Sequence, residues 1–387
     1  MTGANARAGR LAIFAPVYCA GRVGVDLVTE HLVAGLAADW DVWFYSWTPL
    51  SCVVPGVRQR LLPGYLRSYM ARLVWQNLFL PDLMQRDGIE VVLATFSELP
   101  VRLQVPAIAV VHDLTPLRVP ESSPWRHRLF FGLSIRLLQR AHALITVSEF
   151  TKADVRRAGW YPNTPIYAIP NGTDFARAAE AGNRAASARP HCQGPGTATD
   201  ESPYVLYVGG YSPHKNVSML ISSFAELSQE FPHRLILVGA GSESARSNLR
   251  RRASQAGIAG RVEVCGPVPE HELVTLYRGC GLFVYPSRYE GFGLPVLEAM
   301  ACGAPVLTGN VTAMPEVGGD AARYFAPDCR DDLTAAMRTI LSDRALRERM
   351  GAQGRRRATL FTWERTVAAY SRVIREVLSR VPARARD

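Results

Sequence analysis

The sequence predicts an α/β fold of two doubly wound domains, each a parallel sheet wrapped by helices. Short apolar runs alternate with longer segments of helical period over most of the 387 residues, which is the pattern of parallel sheets covered by helices. A chain of this length has material for two hydrophobic cores. The two series of runs are separated by residues 176–202, which are rich in Ala, Gly, Ser, Thr and Pro. We therefore expect an N-terminal domain over residues 1–175, a linker over 176–202, a C-terminal domain over 203–360 and a closing segment over 361–387.

The predicted strands follow the two series of apolar runs. In the first domain they cover residues 11–16, 42–46, 90–94, 107–112, 143–147 and 166–169, and in the second 204–208, 234–238, 262–265, 282–285 and 305–307. After residue 362, apolar residues at helical spacing predict a last helix to about residue 378. Ligands of doubly wound domains bind beyond the carboxyl ends of the strands. We therefore seek functional residues directly after the runs and expect the binding site in the cleft where the two domains face each other.

The formal net charge of +10 fits three kinds of anionic partner: nucleic acid, an anionic membrane or an anionic substrate. Much of the excess is arginine near the C-terminus, at Arg355, Arg356, Arg357, Arg380, Arg384 and Arg386. A solvated, arginine-rich surface explains the charge equally well. Charge alone therefore identifies no partner.

The chain carries no pattern of membrane insertion or secretion. No apolar run approaches the roughly 20 residues that span a bilayer, and the first residues lack the pattern of a signal peptide. The seven cysteines are scattered and never spaced as CxxC, which argues against a disulfide framework and against a zinc site. We expect a cytoplasmic protein with no bound metal.

The most informative segment is RYEGFGLPVLEAMACG at residues 288–303, directly after a predicted buried strand. Pro295 suits the first turn of a helix because its φ is fixed and it lacks an N–H. The backbone N–H groups of Gly293, Leu294 and Val296 would then point out of the helix N-terminus. Such groups bind anions, phosphate above all, and glycine lets a ligand approach closely.

Two acids flank this predicted anion site. Glu290 lies in the loop before the helix, and Glu298 lies within the helix. Ionised carboxylates accept hydrogen bonds from hydroxyl groups. An anion site between two hydroxyl-binding acids is what a sugar nucleotide requires.

A glycine loop, VGGYSPHKN, follows the first strand of the second half. Gly209 and Gly210 allow a tight turn, and Lys215 carries a point charge suited to a diphosphate. The alternative is an ordinary surface loop with an incidental lysine.

Two loops of the first half carry further candidates. His112 ends a predicted buried strand, where an imidazole can bond a sugar hydroxyl or transfer a proton; alternatively a neighbouring carbonyl satisfies it. The loop after the first strand contains Gly21, Arg22 and Gly24, where a phosphate or an acceptor could approach. Glycine-rich loops are common at this place in doubly wound domains, so this second signal is weaker.

Residues 57–86 and 125–140 alternate arginines with large apolar side chains. Basic amphipathic helices of this composition bind anionic lipid surfaces. The alternative is a pair of core helices whose outer faces are rich in arginine.

Taken together, these motifs resemble the retaining glycosyltransferases of family 4, which have the GT-B fold. The E-x7-E spacing from Glu290 to Glu298 is similar to the signature of that family. Other segments of this sequence also resemble segments of the family. They are VGGYSPHKN, the stretch from Gly309 to Val317, FTWE near the C-terminus, and VHDLTPL and ALITVSEFT in the first half. The resemblance thus covers nearly the whole chain and implies two Rossmann-like domains facing across a cleft, with a last helix that crosses back to the N-terminal domain.

The resemblance also implies residue roles. The implied donor site consists of Gly209, Gly210, Lys215, Glu290, Gly291, Phe292, Gly293, Leu294 and Glu298. Glu298 would hold the ribose hydroxyls, Glu290 would contact hydroxyls of the donor sugar, and Lys215 would neutralise the departing diphosphate in place of a metal ion. His112 would lie near the transferred sugar.

One departure from the family concerns the second cation on the diphosphate. Many members carry an arginine at the position of Gly210 or of His214, and this sequence has neither. We consider His214, Arg288 and Arg22 as substitutes.

The resemblance implies transfer of a hexose with retention of its anomeric configuration and without a cofactor. GDP-mannose is the expected donor, because the first-half segments and NVTAMPEV are most similar to bacterial mannosyltransferases of polysaccharide assembly. UDP-glucose, UDP-GlcNAc and GDP-fucose are the alternative donors. We expect a glycan or lipid-linked acceptor, a peripheral contact with an anionic membrane and no nucleic-acid partner.

Two other classes of function compete with this interpretation. A nicotinamide oxidoreductase would need a full GxGxxG fingerprint, but the sequence after Val238 has Gly239 and Gly241 without the third glycine. A non-catalytic sugar-nucleotide-binding scaffold of the same fold would keep the binding residues without turnover.

Overall fold

The structure, a computed structural model, describes residues 8–20, 24–66, 68–181 and 203–381. The chain forms two compact units. The first contains residues 1–118, 124–172 and 363–387, and the second contains residues 119–123 and 173–362. Of the predicted linker, residues 182–202 lie outside the described residues.

The first unit contains a seven-stranded parallel sheet in the order β3-β2-β1-β4-β5-β6-β7. Its strands are β1 (Arg10–Ala15), β2 (Asp41–Ser46), β3 (Arg58–Leu61), β4 (Val91–Ala94), β5 (Ala107–Val111), β6 (Ala143–Thr146) and β7 (Ile166–Ala168). Its first six helices are α1 (Gly24–Leu36), α2 (Tyr69–Leu78), α3 (Leu80–Arg86), α4 (Thr115–Arg118), α5 (Trp125–Leu137) and α6 (Glu149–Arg157). The central strands are apolar and buried on both faces, as strands of helix-covered parallel sheets are.

The second unit contains a six-stranded parallel sheet in the order β10-β9-β8-β11-β12-β13. Its strands are β8 (Tyr204–Val208), β9 (Arg234–Val238), β10 (Val262–Cys265), β11 (Leu282–Tyr285), β12 (Val306–Gly309) and β13 (Ala322–Phe325). Its helices are α7 (Phe175–Ala181), α8 (Val217–Leu227), α9 (Glu243–Gln255), α10 (Glu270–Gly279), α11 (Leu294–Cys302), α12 (Met314–Gly318), α13 (Arg330–Ser342) and α14 (Arg344–Ala358). The prediction of two doubly wound, Rossmann-like units is confirmed.

The last helix, α15 (Trp363–Arg380), belongs to the first unit, as predicted. The Trp363 ring stacks on His31 of α1 with centroids 4.1 Å apart. Trp40 Nε1 donates to Ser371 Oγ at 3.1 Å, deep in the same contact. The chain therefore returns to its N-terminal unit after it has completed the second sheet.

The sequence analysis missed two strands. It also predicted a helix over residues 57–86, and the first part of that prediction is wrong. Residues 58–61 form β3, an edge strand paired with β2. Its side chains are mostly exposed, so it lacks the apolar run that identifies a buried strand. The arginines of β3 pair with acids of the first unit: Arg58 lies 3.5 Å from Asp41 of β2, and Arg60 pairs with the buried Asp87, which follows α3. The other missed strand, β13, buries only its first and last residues.

Candidate functional site

The loop between β11 and α11 brings Glu290 and a helix N-terminus to the carboxyl edge of the second sheet. Gly293 is the N-cap of α11 and has a φ of +98°, a backbone conformation that favours glycine. A Cβ atom there would lie 2.3 Å from Cε of Met314. Pro295 lies in the first turn of the helix, as predicted. The sequence FGLP therefore sets both the sharp turn and the start of the helix.

The N-terminus of α11 presents fewer donors than the sequence predicted. The Val296 N–H donates to the Gly293 carbonyl at 3.0 Å, so it is used within the first turn. In the part of the chain that the structure describes, the N–H groups of Gly293 and Leu294 have no acceptor. These two donors lie at the positive end of the helix dipole, where a negative charge is favoured.

Lys215 and Glu290, two predicted site residues from separate loops, form an ion pair that is largely buried. Lys215 Nζ lies 2.5 Å from Glu290 Oε1, and their side chains are 17% and 13% exposed. The Tyr285 hydroxyl lies 2.9 Å from Glu290 Oε1 and 3.1 Å from Lys215 Nζ. The lysine also lies over the Tyr285 ring, 5.6 Å from its centroid. The lysine is therefore not an incidental surface residue.

The pKa of Glu290 is lowered although its carboxylate is buried. Burial alone would raise this pKa, but the Lys215 ammonium and the hydroxyls of Ser287 and Tyr285 outweigh that effect. The carboxylate is thus ionised at neutral pH, and both of its oxygens can accept hydrogen bonds.

The second acid of the motif has the opposite electrostatic character. Glu298 is 8% exposed, and Tyr277 donates to its Oε2 at 2.9 Å. Burial, assisted by the negative charge of Glu270, raises the pKa of Glu298 to about 7. The two acids of one sequence motif therefore differ in protonation near neutral pH: Glu290 is charged, and Glu298 is poised to titrate.

The glycines of the β8 and β9 loops allow the two loops to touch. A Cβ on Gly239 would lie 1.8 Å from the Gly209 carbonyl oxygen. The Gly209 N–H in turn donates to the Val238 carbonyl at 2.9 Å. Gly210 accepts a 2.6 Å hydrogen bond at its carbonyl from the Tyr207 hydroxyl. The partial GxG pattern thus has a packing explanation and needs no dinucleotide.

Of the three candidate second cations, Arg288 is engaged elsewhere. Its guanidinium contacts Asp328 at 2.7 Å, and its backbone N–H donates to the His214 carbonyl at 2.9 Å. His214 is 8% exposed. Arg22 lies outside the described residues, as does Gly21 of the same predicted loop.

In the first unit, His112 follows β5 and is hydrogen-bonded to a carbonyl. Its Nε2 lies 2.9 Å from the Thr95 carbonyl oxygen, so Nε2 carries the proton and Nδ1 remains an acceptor. Burial lowers the pKa of His112 and outweighs the effects of the Thr95 carbonyl and of Asp113. The imidazole is therefore neutral at pH 7, and the carbonyl-bonded alternative is the observed one.

Gly24, of the predicted glycine loop, is the first residue of α1.

Three residues near the motif were missed by the sequence analysis. Tyr285 ends β11, and the rule that sites follow strand ends could have identified it. Tyr277 lies on α10 and has no comparable sequence signal. Thr312 adopts a φ of +58°, which is rare for a β-branched residue, and its Oγ1 accepts from the Glu290 N–H at 3.3 Å.

Elsewhere in the described residues we find neither a metal site nor a membrane-spanning helix. Within the described ranges, no group of three or more His, Cys, Asp or Glu side chains could hold a metal ion. Among the described helices, none is long and apolar enough to cross a membrane. A cavity of about 280 Å³ lies at the opposite edge of the second sheet, where Gly281 and Pro305 precede their strands. It contains none of the predicted site residues.

Comparison with known proteins gives two family matches. Residues 194–357 match the family described as glycosyl transferases group 1, and residues 23–177 match glycosyltransferase family 4. The chain is 34% identical over 279 residues to the O-antigen chain mannosyltransferase B of Escherichia coli, covering 70% of this chain and 71% of that protein. It is 30% identical over 269 residues to a serotype-specific mannosyltransferase of the same species, covering 67% of this chain and 32% of that longer protein.

Solved structures share the fold. Sucrose-phosphate synthase from Thermosynechococcus elongatus superposes with a TM-score of 0.79 at 21% identity, covering 96% of this chain and all of that one. Anabaena HepE, solved in complex with UDP-glucose, superposes with a TM-score of 0.72 at 15% identity, covering 95% and 99%. At these identities the likeness concerns the fold alone.

Proposed function

The chain belongs to the group 1, family 4 glycosyltransferases, and from that premise we propose that it transfers mannose from GDP-mannose to a hydroxyl of an oligosaccharide or lipid-linked acceptor. The observation that carries this proposal is the buried Lys215–Glu290 pair beside the N-terminus of α11. The relatives named as mannosyltransferases favour this donor, and their names favour a role in cell-surface polysaccharide synthesis. UDP-glucose, UDP-GlcNAc and GDP-fucose are the alternative donors.

The residues of the second unit suit the charges of a sugar nucleotide. The N–H groups of Gly293 and Leu294 and the ammonium of Lys215 would bind the diphosphate. The ionised Glu290 would accept hydrogen bonds from the hexose, and Glu298 from the ribose. We propose that no metal is required, because these donors supply the positive charge near the phosphate.

Transfer requires stabilisation of two developing charges. As the sugar–phosphate bond breaks, negative charge grows on the diphosphate and positive charge on the sugar ring. Lys215 and the helix N–H groups stabilise the first, and loss of one such contact costs about 3 kcal/mol. We propose that the acceptor hydroxyl attacks on the face the phosphate leaves, so that the phosphate takes its proton and the configuration is retained. Glu290 is then a hydroxyl-binding group and not the nucleophile.

For His112 the hydrogen-bond pattern restricts the role. Because Nε2 donates to the Thr95 carbonyl, only Nδ1 is available, and it can only accept. We propose that it accepts a hydrogen bond from a sugar hydroxyl and does not act as a general acid.

We also propose that the first unit contacts an anionic membrane at its cytoplasmic face. Helix α5 exposes Trp125, Leu129 and Leu133 at successive turns, and their exposed fractions are 66%, 63% and 54%. Arg126 and Arg136 are exposed on the same helix.

Helix α2 adjoins this surface, because the Tyr69 ring lies 6.4 Å from that of Phe130. Its exposed apolar residues are Tyr69, Met70, Val74 and Leu78. Exposed apolar side chains beside arginines are typical of helices that lie in a lipid interface.

A donor screen tests the enzymatic proposal. The protein is incubated with each of the four sugar nucleotides, with EDTA present, and release of nucleoside diphosphate and thermal stabilisation are measured. We expect GDP-mannose to give the greatest response, and Lys215→Ala and Glu290→Ala to abolish release. Stabilisation by a donor without any release, in the presence of candidate acceptors, would instead support the scaffold function.

Cosedimentation with vesicles tests the membrane proposal. Vesicles containing phosphatidylglycerol should bind the wild-type protein at low salt, and Trp125→Ser with Leu129→Ser should weaken that binding. Leu360→Ser, an exposed leucine of the second unit, is the matched control. Equal binding by neutral vesicles, or no binding at all, would refute the proposal.

A further inference from the structure

A tyrosine hydroxyl connects the two charges of the site. Tyr285 lies 2.9 Å from Glu290 Oε1 and 3.1 Å from Lys215 Nζ through the same oxygen. A lysine ammonium only donates and a carboxylate only accepts, so the direction of the chain is determined. Lys215 donates to the tyrosine oxygen, and the tyrosine O–H donates to Glu290.

The Tyr285 hydroxyl is held in place by its ring. The side chain is 1% exposed and is stacked between Tyr207 and Phe283, with centroids 5.9 and 6.1 Å away and planes inclined by 15° and 17°. The hydroxyl therefore cannot follow the lysine if the lysine moves.

A bound diphosphate would compete for Lys215 but not for the Tyr285 O–H. The Lys215 ammonium is shared between Glu290 and the tyrosine. A diphosphate would draw the ammonium away and leave a buried carboxylate with less positive charge beside it. Desolvation favours the protonated form of such a carboxylate, which donates at the protonated oxygen and is a weaker acceptor for a sugar hydroxyl.

We propose that Tyr285 is a positioning residue that keeps Glu290 ionised and correctly oriented while Lys215 exchanges between Glu290 and the donor diphosphate. This inference rests on the proposed function of the site. The other groups that face Glu290 do not replace the tyrosine. The Ser287 hydroxyl helps to lower the pKa of Glu290 but donates to the backbone carbonyls of His214 and Tyr289. Thr312 contacts only the backbone N–H of Glu290. Tyr207 and Glu298 interact with the Tyr285–Glu290 pair without bonding the carboxylate.

The test compares Tyr285→Phe with Tyr207→Phe. Both keep the ring stack, but the Tyr207 hydroxyl bonds the Gly210 carbonyl and not the ion pair. With the donor that the wild-type enzyme turns over, we expect Tyr285→Phe to lower kcat about tenfold. We also expect the acidic limb of the kcat–pH profile to move up by about one pH unit. Tyr207→Phe should leave that limb unchanged. A limb that stays in place in Tyr285→Phe, or moves equally in both variants, overturns the inference.

A second measurement does not depend on turnover. The carboxyl ¹³C signal of Glu290, assigned by its loss in Glu290→Gln, is titrated with and without inorganic pyrophosphate. Pyrophosphate should raise the pKa of Glu290 more in Tyr285→Phe than in the wild type. Equal pKa values in the two proteins with pyrophosphate refute the role of Tyr285. Absence of turnover with every sugar nucleotide refutes the proposed function instead.

Discussion

The Tyr277 hydroxyl donates to Oε2 of Glu298 across 2.9 Å, and both side chains are buried. The hydrogen bond favours the charged carboxylate, yet burial dominates and raises the pKa of Glu298 to about 7. The folded protein therefore holds a proton on Glu298 at a pH where the unfolded chain has lost it. This difference links stability to pH.

Glu298→Gln should become more stabilising, relative to the wild type, as the pH rises. Because the folded pKa is raised above the unfolded value, the contribution of Glu298 is fully present below about pH 4.5 and is lost as the pH rises through about 7. The glutamine keeps the Tyr277 contact and carries no charge. We expect the stability difference between variant and wild type to grow by roughly 2–3 kcal/mol between pH 4.5 and pH 8. Urea unfolding at several pH values measures it.

Glu290→Gln is the control for that experiment, because its stability relative to the wild type should change with pH in the opposite direction. The pKa of Glu290 is lowered, so its contribution is present above the unfolded pKa and is lost as the pH falls through the folded one. The glutamine variant should therefore lose stability relative to the wild type as the pH rises from acid to neutral. A pH-independent difference for Glu298→Gln would contradict the assigned burial of its charge.

Gly293→Ala should destabilise the protein more than Gly257→Ala. Both glycines have positive φ values, +98° and +72°, so each substitution strains the backbone by about 1 kcal/mol. Only at Gly293 would the new Cβ meet another side chain, Cε of Met314 at 2.3 Å, whereas nothing lies within 4 Å of the Cβ position at Gly257. In a Met314→Ala background the cost of Gly293→Ala should fall to that of Gly257→Ala. Equal costs in the native background would show that Met314 gives way freely.

The sequence predicted the strands of both sheets where an apolar run marks a buried strand. All eleven predicted strands are present, and the two additional strands, β3 and β13, carry exposed or mixed side chains. Those strands form by pairing at a sheet edge, a long-range event that no local pattern records. The same reason explains Arg60, which seemed part of a basic helix and instead pairs with Asp87 from a distant part of the chain.

The sequence predicted which residues form the candidate site, but not which of them contact each other or how their pKa values shift. Spacing and resemblance identified Lys215, Glu290 and Glu298, yet no local signal indicated that the first two pair directly. The pKa shifts of the two acids are opposite because the Lys215 ammonium outweighs burial at Glu290, whereas burial dominates at Glu298. Contacts of this kind come from tertiary packing, which brings together residues that are far apart in the sequence.

Gly35→Ala should weaken the packing of α15 on α1. A Cβ on Gly35 would lie 2.4 Å from Cγ2 of Val367, closer than any real contact. Overpacking of this kind costs about 1–3 kcal/mol and should outweigh the better helix propensity of alanine. In the double variant with Val367→Ala the contacts with both Cγ atoms disappear and only a 3.1 Å approach to the Cβ of residue 367 remains. The double variant should therefore be more stable than the sum of the single effects predicts. Additive effects in thermal unfolding would mean that the two helices do not meet at these residues.

His233→Gln should protect the protein against acid. Burial, with the positive charges of Arg347 and Arg261, lowers the pKa of His233 to about 4. His233 therefore stabilises the fold fully above its unfolded pKa of about 6.5, and this contribution is lost as the pH falls towards 4 because only the unfolded chain takes up the proton. The glutamine cannot titrate, so its stability relative to the wild type should improve by roughly 2 kcal/mol between pH 7 and pH 4. The same substitution at His271, which is exposed on α10, is the matched control. If the two variants respond alike to acid in urea unfolding, the charge environment of His233 is not the cause.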